Sequence, residues 1–151
     1  MPRETTIERA RQAEREGKSA SSQAGEFVRE EIEAIRKGEH GARSTKQAIA
    51  IGLSKARRAG VKLPVPEKGS VPEETREKAT RELAAAKKNE TRKPSRSRSQ
   101  AALKALKGEG RAVASKEALS KHSRAVARKR TSAQKSESSK KAARTRRVRG
   151  K

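Results

Sequence analysis

Lysine and arginine are the side chains with the clearest chemistry in this sequence, because they are numerous and concentrated at one end. The 151 residues include 41 Lys and Arg against 18 acids, all of them Glu, for a net charge of +23. Residues 92–151, which we call the basic arm, carry 21 of the basic residues and only 3 Glu. Ammonium and guanidinium groups at this density displace the counterions condensed on a polyphosphate. The pattern therefore predicts a nucleic acid as the partner.

The candidate nucleic-acid-binding residues lie in three groups along the basic arm. They are Arg96, Arg98, Lys104, Lys107, Lys121, Arg124, Arg128, Lys129, Arg130, Lys140, Lys141, Arg144, Arg146, Arg147 and Arg149. Phosphate contacts of this kind set affinity rather than sequence choice. The chain has no Trp or Tyr, and its one Phe, Phe27, lies in an apolar helical pattern. Base stacking is then available only through Arg, which favours duplex DNA over single-stranded RNA.

Catalytic chemistry has few candidates in this chain. There is no Cys and no Asp, and the two histidines, His40 and His122, are far apart in the sequence. No phosphate-binding loop of the G-x-x-x-x-G-K-[ST] type occurs. The sequence predicts that the protein is not an enzyme and binds no metal, cofactor or small-molecule substrate. His40 lies in a Gly-flanked loop, where we expect it to be solvated or to donate to a carbonyl.

The composition limits how much of the chain packs into a core. Leu, Ile, Val and Phe make up 19 of the 151 residues, below the roughly 20% under which high net charge predicts disorder. We expect an all-α protein with one small core, further short helices and extensive disordered basic segments. No apolar run approaches the length of a membrane span, and the first ten residues lack the apolar region of a signal peptide. These features predict a cytoplasmic protein.

Residues 22–63, the hairpin core, hold two strong helix patterns joined by a short loop. The first runs over 22–37 with Ser21 or Ser22 as its cap, and the second over 44–59 with a capping box from Ser44 to Gln47. Gly52, inside the second helix, predicts the close approach of another helix. The pattern leaves a homodimer through this hairpin open. The predicted core is Phe27, Val28, Ile32, Ile35, Ile49, Leu53, Val61 and Leu63.

The other segments have weaker patterns. Residues 1–21 predict a weak N-terminal helix with a capping box from Thr5 to Glu8. Residues 64–91 predict a Pro-rich linker and an exposed charged helix, capped by Ser70 and Glu73. In the basic arm, two short helices are expected over 99–107 and 115–130, followed by a Ser/Ala/Lys/Arg tail over 131–151. The basic arm is thus expected to be largely disordered.

The run from Ser44 to Gly60 resembles the signature of an uncharacterised family of small basic bacterial proteins. It reads STKQAIAIGLSKARRAG, against a family pattern of roughly S-x-K-Q-A-I-A-I-x-L-S-x-A-R-x-A-G. The close resemblance covers Gly25 to Leu63, and a looser one continues over 101–130. The resemblance implies a bacterial protein with a histone-like, Lys/Arg/Ala-rich extension. Because the family is a domain of unknown function, it supplies no catalytic or ligand-binding residue.

Together these features predict a nucleoid-associated or histone-like protein that binds DNA without sequence preference through its basic arm. Two alternatives remain open at the level of the sequence. One is an RNA- or ribosome-associated basic protein. The other is a helical protein-interaction or stress-response module in which the hairpin core binds a protein partner.

Overall fold

The computed structural model describes residues 2–87 and 95–149, and these residues are folded almost entirely into α-helices. No strand forms among them, so the predicted all-α class is confirmed. The chain divides into two compact units between Ser115 and Lys116. The helices are α1 Glu4–Arg15, α2 Ala20–Lys37, α3 Thr45–Arg58, α4 Glu73–Lys87, α5 Arg96–Lys107, α6 Lys116–Lys129 and α7 Ser132–Arg149, with a 3-10 turn at Ala112–Ala114.

The predicted hairpin is present as α2 and α3, and its caps agree with the sequence in part. Ser44 caps α3, accepting from the Gln47 N–H at 3.1 Å, as predicted. The cap of α2 is Ser19, which accepts from the Ser22 N–H, so the assignment to Ser21 or Ser22 was wrong. Helix α2 begins earlier because Ser19 already has the extended backbone and side-chain oxygen that an N-cap needs.

Helix α3 approaches α2 most closely at Gly52. A Cβ atom built on Gly52 would lie 2.7 Å from the Cα and 3.0 Å from the Cγ2 of Val28. Only a residue without a side chain fits at that distance, which explains a glycine in the middle of a helix. The face of α3 that carries Gly52 therefore packs on the backbone of α2.

The core contains five of the eight predicted residues as buried side chains, and it is completed by alanine. The buried five are Phe27, Ile32, Ile35, Val61 and Leu63. The other three, Val28, Ile49 and Leu53, are half-buried. Alanine buries little area by itself, but it lets helices approach closely and fills the space between them. The buried alanines are Ala10, Ala13, Ala24, Ala34, Ala42, Ala48, Ala56, Ala79 and Ala114.

Helix α1 packs on α2 rather than standing alone. Its Ala10 and Ala13 are buried. The predicted capping box from Thr5 to Glu8 was wrong, because Thr5 lies inside the helix and Arg3 is the N-cap. The Arg3 N–H instead donates to the carboxylate of Glu30 on α2, at 3.1 and 3.3 Å. The start of α1 is therefore capped by a side chain of the neighbouring helix.

Helix α4, predicted as an exposed charged helix, packs on the hairpin along one side and is otherwise largely exposed. Its Ala79 is buried, and Glu82 accepts from the Ser54 hydroxyl of α3. The predicted box from Ser70 to Glu73 does not form either, since the Ser70 hydroxyl donates to the Glu67 carbonyl at 2.6 Å. A polar contact and a small alanine face are enough to dock a helix that has few large side chains.

Residues 106–110 of the basic arm are anchored to the hairpin. The N–H groups of Gly41 and Ala42 donate to the carbonyls of Leu106 and Gly110, at 2.8 and 3.1 Å. A Cβ atom at Gly41 would overlap the carbonyl oxygen of Glu109, so this contact needs glycine. The first compact unit thus extends to Ser115, past residue 92, at which the sequence predicted the arm to begin.

Two side chains of the hairpin complete this anchor. Thr45 Oγ1 donates to the Val113 carbonyl at 2.7 Å, and Arg36 Nε donates to the Ala114 carbonyl at 2.8 Å. Ala114 is fully buried. The 3-10 turn therefore belongs to the core of the first unit. The disorder predicted for the arm is not shown by the described residues, which form α5, α6 and α7.

We expect Gly52→Ala to lower the free energy of unfolding by about 1–2 kcal/mol, because overpacking against Val28 outweighs the gain in helix propensity. Gly25→Ala is the matched control, since a Cβ atom at Gly25 on α2 meets nothing within 4 Å. That change should raise the free energy of unfolding by about 0.5–1 kcal/mol. Chemical denaturation followed by circular dichroism measures both values. Equal effects of the two substitutions would contradict the close approach at Gly52.

Candidate nucleic-acid interface

The structure places the predicted basic residues on three helices. Arg96, Arg98, Lys104 and Lys107 lie on α5, which buries none of its side chains. On α6 and just after it lie Lys121, Arg124, Arg128, Lys129 and Arg130. Helix α7 carries Lys140, Lys141, Arg144, Arg146 and Arg147, and all fourteen of these side chains are exposed. Arg149 ends α7, and its side chain lies outside the described part of the structure.

These fourteen exposed side chains have no acidic partners within the described residues. None of them forms an ion pair there. One acid of the same stretch, Glu109, does pair, with Arg43 in the α2–α3 loop at 3.4 Å. Exposed cations without partners keep their full charge available to a polyanion.

Helices α1 to α4 distribute their charge differently, because many of their cations are paired. Arg29 contacts Glu26 at 2.9 Å, and Arg76 contacts Glu73 at 2.7 Å. These are exposed pairs between residues one helical turn apart, which add little stability. They nevertheless neutralise the surface locally. The accessible positive charge is therefore concentrated on α5, α6 and α7.

Three basic side chains of α6 lie on one side of the helix, together with the acid Glu117. Lys121, Arg124 and Arg128 follow the spacing of three and four residues that aligns side chains on one face. Leu119 and Val126 lie on the opposite side, where Val126 keeps 39% of its surface exposed. His122 is half-buried at the edge of this apolar side. Helix α6 thus presents one basic face.

Helix α7 starts at a cap that the sequence analysis missed. The Gln134 N–H donates to Thr131 Oγ1 at 3.3 Å, and the Thr131 N–H donates to Gln134 Oε1 at 3.1 Å. This is a reciprocal capping box, and its signal is the run Thr-Ser-Ala-Gln at 131–134. Because no apolar pattern follows the run, the usual second signal of a helix start is missing. The box defines where a helix starts in a segment that has no core.

Arg111 is a further cation that sequence reasoning missed. A Cβ atom built on Gly38 would lie 2.7 Å from Arg111 Nη1, so the guanidinium group sits against the last turn of α2. This is the negative end of the helix dipole, which favours a cation. The two positions are far apart in the sequence, and only the anchoring of residues 106–114 brings them together. Arg111 thus adds positive charge at the C-terminal end of α2.

The first unit also contains a buried carboxylate, Glu31, with a lysine and a histidine beside it, and the role of this cluster is structural. Glu31 of α2 is fully buried, and its Oε2 lies 2.7 Å from Lys55 Nζ of α3. Its Oε1 lies 3.4 Å from His40 Nε2, while His40 Nδ1 lies 3.1 Å from the Gly41 carbonyl oxygen. His40 is thus half-buried between the hairpin helices, which excludes the solvated alternative and fits the expected carbonyl contact. Glu31 ties α2, α3 and their loop together.

This cluster supplies one carboxylate and one imidazole. In the described part of the chain, no group of three or more His, Cys, Asp or Glu side chains is arranged to hold a metal ion. None of the described helices is both long enough and apolar enough to span a membrane. The basic side chains of α5, α6 and α7 are therefore the candidates for a binding site.

Comparison with known proteins shows that the hairpin region is similar to a family without a known activity. Residues 15–68 match DUF6496, a family of unknown function. The match covers the whole hairpin core, including Glu31, His40 and Gly52, and it contains the stretch from Gly25 to Leu63 on which the resemblance rested. No match was found among curated proteins or among solved structures. The looser resemblance over 101–130 lies outside the matched range and stays a prediction.

We expect Glu31→Ala to lower the free energy of unfolding by about 3 kcal/mol, because it leaves Lys55 partly buried without its partner. The matched control is Glu33→Ala on the same helix. Glu33 is exposed and contacts Arg29 only at 3.8 Å, so its removal should cost less than about 1 kcal/mol. Urea denaturation of the two variants provides the comparison. Similar small costs for both would show that the cluster does not hold the hairpin together.

Proposed function

We propose that the protein binds duplex DNA without sequence preference, through the basic helices α5, α6 and α7, and that it associates with the nucleoid. The observation that carries this proposal is the set of fourteen exposed Lys and Arg side chains, none of them in an ion pair within the described residues. Helices α5 and α6 bury no side chain. Their surfaces are therefore open to a partner, and their positive charge favours a polyanion.

The physical basis of the binding is the release of counterions. A duplex carries a dense array of phosphates with condensed cations, and each phosphate neutralised by Lys or Arg frees some of them. The second unit alone, residues 116–151, holds 14 basic and 2 acidic residues. Neutralising 6–10 phosphates makes affinity fall by roughly 10³–10⁵ between 50 and 200 mM salt. We therefore expect strong binding at low salt with a steep salt dependence.

The preference for duplex DNA over RNA rests on what the surface lacks. Phe27, the one aromatic residue of the chain, is 1% exposed and belongs to the core. Unpaired RNA bases are recognised chiefly by stacking on aromatic rings. Binding through Lys and Arg alone reads the phosphate backbone, which a duplex presents regularly. An RNA- or ribosome-associated role remains the alternative that a competition experiment addresses.

The proposal also covers the order of the arm. Helix α7 is rich in Lys, Arg and Ser, and every side chain described on it is exposed. A helix without tertiary packing is marginal in water, and its like charges repel one another. Phosphates that neutralise these charges remove the repulsion. We propose that α6 and α7 are only partly formed in solution and become fully helical on DNA, in line with the disorder that the sequence predicts.

Truncation after Ser115 tests the binding surface. The shortened chain keeps the anchor at residues 106–114 and should unfold as cooperatively as the hairpin of the full chain. Its affinity for duplex DNA at about 50 mM salt should fall by at least about a hundredfold, because most of the cations that neutralise phosphates are removed. Fluorescence anisotropy across a salt series measures the affinity and its slope. Undiminished binding by residues 1–115, which keep α5, would refute α6 and α7 as the main interface.

A competition arm in the same assay separates the nucleic acids. Unlabelled duplex DNA should displace the labelled duplex at lower concentration than structured RNA of equal length does. Stronger displacement by RNA would favour the RNA-associated alternative instead.

We expect the helical content of the second unit to rise when duplex DNA is added. The signal is the far-ultraviolet circular dichroism of the full chain minus that of residues 1–115, each measured with and without DNA. The shortened chain is the control, because it lacks α6 and α7 and its helices α1 to α4 pack on one another. A difference spectrum that DNA leaves unchanged would show that the arm helices are already complete, and that ordering on the polyanion is not part of binding.

A further inference from the structure

Helix α7 carries its positive charge on two opposite sides. With 3.6 residues per turn, Lys140, Lys141, Arg144 and Arg147 fall on one side, which we call face one. Lys135 and Arg146 fall about 180° away on face two, together with helix position 149. Every one of these side chains that the structure describes is exposed. The Ser, Ala, Gln and Thr side chains between the two faces offer no large apolar surface against which the helix could pack.

The two faces are balanced in charge. Face one has four basic residues, and Glu137 lies among them, which leaves a net charge of +3. Face two has three basic residues in the sequence and no acid, so its net charge is likewise +3. The hydroxyls of Ser138 and Ser139 donate to the carbonyls of Gln134 and Lys135 one turn back. These hydroxyls are occupied by the backbone of the helix itself, so the charged groups define both faces.

This arrangement differs from that of α6. Lys121, Arg124 and Arg128 form one basic face, and the opposite side of α6 is apolar. One duplex neutralises all three of these residues at once. When α7 lies against the outside of a single straight duplex rather than in its major groove, the duplex reaches only one side of the helix, which is about 10–12 Å across with its side chains. The other face then remains charged and open.

We propose, as a consequence that rests on the proposed function, that α7 bridges two DNA duplexes, with one phosphate backbone on each face. A single bound duplex leaves about half of the charge of α7 without counter-charge, and a second duplex neutralises it. Counterion release from the second duplex drives the step, in the same way as for the first. Helix α6 holds one duplex, and α7 joins it to another.

Three full-length variants with equal net charge test this. The face-one variant combines Lys140→Gln, Arg144→Gln and Arg147→Gln, which leaves Lys141 and Glu137 to cancel. The face-two variant combines Lys135→Gln, Arg146→Gln and Arg149→Gln. The control on α6 combines Lys121→Gln, Arg124→Gln and Arg128→Gln. Gln has a helix propensity close to that of Lys and Arg, so the helices should be retained, and circular dichroism of the DNA-bound proteins checks this.

Two measurements are made on each protein at the same salt concentration. Fluorescence anisotropy gives the affinity for a single duplex. Co-capture gives the bridging, as the amount of a labelled duplex that the protein retains on beads carrying a second, immobilised duplex. Co-capture is compared at equal occupancy of the immobilised duplex, so that differences in affinity do not enter.

Both α7 variants should bind a single duplex more weakly than the unchanged protein, because each loses three of the cations that neutralise phosphates. Their co-capture should fall to the background level. The α6 variant should bind a single duplex more weakly, with its salt slope reduced by about 0.9 for each phosphate that it no longer neutralises. At equal occupancy its co-capture should equal that of the unchanged protein.

Retained co-capture by either α7 variant would overturn the proposal. Bridging by a dimer through the hairpin would give that result, since each of its two arms keeps one intact face. Single-duplex binding by the unchanged protein without any co-capture would overturn it as well. Absence of single-duplex binding is a different result, because it refutes the proposed function itself.

Discussion

The contact between Gly52 of α3 and the backbone of α2 at Val28 is the constraint on which the first unit depends. A chain with so few large apolar residues gains little from each one it buries, so it has to bring helix backbones close together. Glycine and alanine at the contacts make this possible. The same solution recurs where Gly41 meets the backbone at Glu109. Close approach of small residues thus replaces the large side chains of an ordinary core.

Polar contacts supply what the small core does not. Glu31 is buried between the hairpin helices against Lys55 and His40, and Glu30 caps α1 through the Arg3 N–H. Glu82 brings α4 to Ser54. Each of these carboxylates joins residues that are distant in the sequence, so each fixes the position of one helix on another. These Glu residues therefore have a structural role in the first unit. The exposed Lys and Arg side chains of the basic arm have no acidic partner among the described residues.

The anchor at residues 106–114 connects the two roles. Four hydrogen bonds hold this segment on the hairpin around the α2–α3 loop, and its last residue, Ala114, is buried. Residues 106–114 of the basic arm are therefore held on the hairpin as part of the first unit. In the proposed function, the hairpin is a platform that holds this part of the basic arm. The family match covers this platform and gives no activity to it.

The sequence by itself determined the helical class, the hairpin, most of the large core residues and the charge segregation. These are local properties, since the spacing of apolar residues, the Ser44 cap and the run of Lys and Arg can each be read within one segment. Only the tertiary structure decided that α1 and α4 pack on the hairpin, that Glu31 is buried, and that the first unit reaches Ser115. The alanines and carboxylates responsible have no pattern of their own. They become core residues or caps only when another helix, tens of residues away, supplies the partner.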